Sequence, residues 1–136
     1  MKMFKWKWAV ALWVAVTLSF GAMAQANHVP MVLTEGETVV IPQRASYCMT
    51  KGTAVSVIEE FAANGRKASV DLFNIYFGIG ECANLAGVII TVVDLVTRFE
   101  NAGAVEVEMK KNDGTTQTAY MVIANLDYKE ALGDPV

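Results

Sequence analysis

The sequence predicts a small α+β domain: an N-terminal β-hairpin, a disulfide-linked helical pair and a C-terminal antiparallel sheet. Three observations predict it. Cys48 and Cys82 bracket two segments whose apolar residues recur at helical spacing. Short runs rich in β-branched residues precede the first cysteine. Strict apolar–polar alternation around an Asn-Asp-Gly turn follows the second.

The chain opens on a different kind of segment. Lys2, Lys5 and Lys7 form a basic stretch without an acid, residues 8–20 are an apolar run, and Gly21-Ala22-Met23-Ala24 supplies the small-x-small pattern of a cleavage site. Residues 1–24 are therefore expected to be a signal peptide and residues 25–136 a single domain. The run falls short of the about 20 residues a membrane span needs, so no stable span is expected after cleavage. Ala24-Gln25-Ala26 is a second candidate cleavage box. Neither cut places His28, the only histidine, third from the new terminus, where a terminal copper site needs it, so no metal and no cofactor is expected. Periplasm or extracellular space is the expected location.

The leader carries three of the 11 basic residues and none of the 14 acidic ones. That leaves eight basic against 14 acidic residues, a net charge of −6. This charge and the scattered basic residues disfavour nucleic acid and anionic lipid, and favour a basic partner. Two cysteines in an exported chain are expected to pair. The 35-residue loop from Cys48 to Cys82 would then add about 3–4 kcal/mol by restricting the unfolded chain.

Within the mature chain, residues 29–33 and 37–41 read as strands joined by Glu35-Gly36 into a hairpin. Pro30 confines the first to an edge and Pro42 ends the second. Residues 43–46 read as a polar connector. Thr50 or Thr53 caps a helix whose buried stripe is Ala54, Val57, Ile58, Phe61 and Ala62, and Asn64-Gly65 stops it. Ser69 is expected to cap the next segment, apolar on almost every side through Leu72, Phe73, Ile75, Tyr76, Phe77 and Ile79. A buried helix is expected there, with a strand as the alternative. Residues 85–100 carry a helical stripe, Leu85, Val88, Ile89, Val92, Val96 and Phe99. The β-branched run at 88–93 favours a long strand over that helix.

Val105, Val107 and Met109 alternate with Glu106, Glu108 and Lys110, Asn112-Asp113-Gly114 turns the chain, and residues 117–124 return as a strand apolar on both faces. Residues 126–132 read as a short helical tail. The strand-like runs at 88–93, 105–111 and 120–122 resemble consecutive strands of an SH3-like barrel, which would imply a binding module.

Chemistry-bearing motifs are sparse. Glu59 and Glu60 are adjacent and diverge by about 100° on a helix. A Glu60–Asp71 pair from separate segments is the remaining carboxylate option. No catalytic residue is assigned and no enzyme is expected. The candidate binding patch is Phe73, Tyr76 and Phe77, though core packing against the first helix and the sheet is the favoured reading of these residues. The expected function is a non-catalytic protein-interaction module of the bacterial envelope or periplasm. The alternatives are a small-ligand or lipid carrier and an inhibitor of a cationic cell-wall hydrolase.

Overall fold

The computed structural model describes residues 29–131. The leader, both candidate cleavage sites, His28 and residues 132–136 lie outside them. The elements run β1 (Met31–Thr34), β2 (Thr38–Ile41), β3 (Ala45–Cys48), α1 (Lys51–Asn64), α2 (Arg66–Gly78), β4 (Cys82–Leu85), β5 (Val88–Phe99), β6 (Ala102–Lys110), β7 (Thr116–Ile123) and β8 (Leu126–Lys129). Six strands form an antiparallel sheet in the order β2-β5-β6-β7-β3-β4, and β1 and β8 form a separate parallel pair. The chain is a mixed α+β fold, as the sequence predicts. Among the described residues no helix is long and apolar enough to cross a membrane.

The helical pair forms where the spacing places it. Thr50 caps α1, its side chain accepting from the Thr53 backbone N–H at 3.3 Å. Ala54, Val57 and Ile58 form the buried stripe, whereas Phe61 is half-buried and Ala62 is exposed. Gly65 ends the helix at φ 91°, a backbone state that glycine adopts without steric penalty. The chain re-enters a helix at once, so α2 begins at Arg66 and not at Ser69. Ser69 lies buried inside α2, its hydroxyl donating to the Arg66 carbonyl at 2.8 Å. At their outer ends the two helices continue into β3 and β4, which pair directly, with Cys48 opposite Cys82. Both sulfurs are fully buried and bonded at 2.03 Å.

The sheet separates two cores. On one face α1 and α2 pack over Cys48, Cys82, Ala102, Ala104 and Val122. On the other, the curled sheet and the β1–β8 pair enclose Tyr47, Ile90, Val92, Val105, Val107, Met121, Leu33 and Leu126. The curl follows from β5, which carries register shifts against β6 between Val92 and Asp94 and between Leu95 and Thr97. Each shift inserts a residue and bends the strand. Residues 88–99 are thus a strand, but one interrupted twice.

The C-terminal hairpin matches its prediction. Val105, Val107 and Met109 are buried, and Glu106, Glu108 and Lys110 are more open. Asp113 accepts from the Thr115 hydroxyl and backbone N–H, which hold its carboxyl below the usual range, and Gly114 sits at φ 89°. Strands β5, β6 and β7 form an antiparallel meander, and β7 is central, flanked by β6 and β3.

Three expectations are corrected. Strands β1 and β2 exist and a turn joins them, but they do not form a hairpin with each other. β1 pairs with β8 and β2 with β5. The long β5 and the C-terminal strand offer each short strand a longer-range partner, one that also buries Leu33 and Ile41. The polar connector at 43–46 contains the start of β3, whose four residues are all buried because strands flank it on both sides. Where a helical tail is expected over 126–132, the described part is instead a strand, β8 (Leu126–Lys129), whose Leu126 is buried and whose Tyr128 packs on the same core.

Candidate functional site

A cavity of about 250 Å³ opens where the α1–α2 junction overhangs the sheet. Its floor is apolar and buried: Val57 and Ile58 from α1, Phe73 from α2, Ala102 from β6 and Val122 from β7. Small residues on β6 make room for it, since Ala102 and Ala104 leave the sheet surface low under the helices. Its rim is polar. Arg66 and Glu100, both exposed, line it from α2 and from the segment between β5 and β6, together with Asn101 and Asn125.

Each rim group is placed by local structure. Arg66 is the first residue of α2, fixed by the Gly65 turn. Its neighbour Lys67 is drawn along the helix by Asp71, Nζ to Oδ2 at 3.1 Å. Arg66 has no carboxylate within ion-pair distance among the described residues. Glu100 is the first residue of the two-residue turn joining β5 to β6 and has φ 54°. Positive φ at the first turn position and not at the second is the pattern of a type II′ turn, where glycine is the usual occupant. The turn is clamped by Arg98. Its Nε donates to the Glu100 carbonyl at 3.1 Å and its Nη2 to the Leu126 carbonyl at 2.9 Å. The Leu126 N–H in turn donates to the Asn101 carbonyl at 2.7 Å. The rims contributed by β5–β6 and by the segment after β7 are therefore one rigid unit. Phe61 closes the side, edge-on to Phe99 at 5.8 Å.

Deeper polar groups are partly engaged with one another, while the buried Asn84 Nδ2 has no hydrogen-bond partner among the described residues. The Ser46 hydroxyl donates to Asn84 Oδ1 at 2.8 Å across β3 and β4. Ser69 is satisfied within its helix. The cavity thus offers a greasy floor and a charged rim, the usual make-up of a small-molecule site. Among the described residues no group of three or more His, Cys, Asp or Glu is placed to hold a metal.

Of the predicted patch, Phe73 is 0% and Phe77 is 4% exposed, their rings 6.4 Å apart in the core beneath the helices. Tyr76 packs at the edge of that core, partly open. Phe73 lines the cavity; Tyr76 and Phe77 do not. Glu60 accepts from Asn64 and Asp71 is bridged to Lys67, so each is engaged on its own helix. Arg66, Glu100 and the Arg98 clamp were not singled out by sequence. Their only signals were the cation directly after Asn64-Gly65 and the charged residues at the end of an apolar strand.

No protein-family model matches the chain, and no curated protein or solved structure matches it.

Proposed function

We propose that the protein is an exported, non-catalytic binding protein that carries a small ligand with an apolar body. The carrying observation is the 250 Å³ cavity with a buried apolar floor and a charged rim. It exceeds the about 150 Å³ that holds a benzene molecule and lies below the about 300 Å³ where drug-sized pockets begin. That bounds the ligand to roughly the size of a single small metabolite. Export is supported by the leader pattern and by the disulfide, a bond that persists in oxidising compartments.

Native mass spectrometry of the protein recovered from its export compartment tests this reading. The expected result is a species heavier than the oxidised chain by one discrete small mass. Ala124→Phe, which places a ring at the cavity wall on a half-exposed segment, should abolish it. A bare protein that binds an apolar dye no better than the Ala124→Phe variant would sink the carrier reading.

A second reading, a protein-interaction module, is favoured by one exposed apolar pair, and the acidic charge of the chain beyond its leader points to a basic partner. Val40 and Ile89 lie opposite each other on the edge strand β2 and its neighbour β5, 56% and 40% exposed. A cationic cell-wall hydrolase is the concrete version, with binding that weakens as salt rises. Val40→Lys should reduce capture of such a partner without altering the melt; unchanged capture would remove this reading.

A further inference from the structure

We infer that the cavity is built for a free α-amino acid with an apolar side chain. This rests on the carrier reading and names its ligand class. The rim carries one guanidinium, Arg66, and one carboxylate, Glu100, and neither has an ionic partner among the described residues. They do not bridge each other, although both border a single opening. A ligand with only an acid group would meet Glu100 as a repelling charge, and one with only an amine would meet Arg66 the same way. A zwitterion satisfies both, its carboxylate on Arg66 and its ammonium toward Glu100. The floor of Val57, Phe73 and Val122 then takes an aliphatic or aromatic side chain.

The position of Glu100 strengthens the argument. Its backbone is held at φ 54°, where a side chain is strained and glycine would be relaxed. Arg98 fixes that turn through two carbonyls without touching the Glu100 carboxylate. The clamp therefore leaves the carboxylate free for something else at the rim. Arg98 is a positioning residue in this arrangement.

Calorimetric titration of the oxidised protein with four probes tests the inference: leucine, 4-methylpentanoate, 3-methylbutylamine and 3-methylbutanol. Leucine should bind at least about tenfold more tightly than each of the others, the effect of removing one charge-assisted hydrogen bond from the ligand. Arg66→Gln should weaken leucine and 4-methylpentanoate by about tenfold and leave 3-methylbutylamine unchanged or improved. Glu100→Gln should weaken leucine and 3-methylbutylamine by about tenfold and leave 4-methylpentanoate unchanged or improved. Both substitutions are at exposed positions, and unchanged melts would confirm that the fold is kept. Equal affinity for leucine and the alcohol would overturn the inference while leaving an apolar-ligand carrier standing. A preference for the bare carboxylate over leucine would also overturn it. Absence of binding by all four, together with failure to bind an apolar dye, would overturn both this inference and the reading beneath it.

Discussion

Tyr47→Phe should make the protein more stable. Tyr47 is 0% exposed on the central strand β3, packed in the core enclosed by the curled sheet. Its hydroxyl has no hydrogen-bond partner among the described residues. A buried hydroxyl without a partner costs about 1–3 kcal/mol, and phenylalanine keeps the ring while removing it. We expect a gain of about 1–2 kcal/mol at pH 8, or roughly 4–8 °C in Tm for each kcal/mol in a domain of this size. The same burial pushes the Tyr47 phenol well above its ordinary value of 10.0. Above pH 10 the unfolded chain loses this proton while the folded chain keeps it. The folded state then binds more protons, so stability must fall as pH rises, by up to about 1.4 kcal/mol per pH unit for this one group. Below pH 10 the group gives no pH dependence. Tyr120 and Tyr128 are also raised, chiefly by burial, so some alkaline slope remains in the variant. Urea unfolding of the oxidised wild type and Tyr47→Phe from pH 8 to 11 reads both effects. A variant less stable by 1 kcal/mol or more at pH 8, or one with the full wild-type alkaline slope, would refute the reasoning.

Replacing Cys48 and Cys82 together by alanine should lower stability by about 3–4 kcal/mol for a 35-residue loop; denaturant midpoints of the variant and wild type check this. Phe73→Ala should lower stability by about 3–5 kcal/mol, because the ring is fully buried between the helices and the sheet. A loss below 1 kcal/mol in a thermal melt would mark it as a surface side chain instead. Gly103→Ala should cost about 1–3 kcal/mol. Its new Cβ would stand 2.8 Å from Leu126 Cδ2 and 3.1 Å from the Thr97 carbonyl oxygen, and that backbone oxygen cannot rotate aside. Circular dichroism melts of this variant should show the loss with unchanged secondary structure.

The helical pair was legible because its signals are local. Thr50, the stripe Ala54–Val57–Ile58 and Gly65 act within a few residues of one another. The Asp113-Gly114 hairpin was legible for the same reason. Strand β5 looked half helical for a physical cause. Around its two register shifts, Val92 and Leu95 both reach one core and Val96 and Phe99 both reach the other, so same-side residues fall three apart instead of two. A bulged strand thereby imitates helical periodicity. The N-terminal hairpin was misread because a turn at Glu35-Gly36 is compatible both with pairing and with divergence. Only the distant partners β5 and β8 decide between them. The cavity was illegible in detail, since Arg66 and Glu100 lie 34 positions apart and border one opening only because α1 packs on β5, β6 and β7 and carries the start of α2 to that end of the sheet.

The parallel contact between β1 and β8 sets the order in which the molecule can be assembled. Met31 and Leu126 are 95 positions apart, yet they are register partners. A chain made from its amino terminus holds β1 unpaired until nearly everything else exists. The helical hairpin and the β6–β7 ribbon, rich in near-neighbour contacts, can form well before that closure. Bringing such distant ends together costs about 4 kcal/mol of chain entropy beyond a constant. The sulfur link, which bypasses 34 of the intervening positions, lowers that figure by roughly 0.4 kcal/mol. Oxidation before closure would therefore leave a shorter search for the last strand pair, the step in which Leu33 of β1 joins Leu126 of β8 in the core.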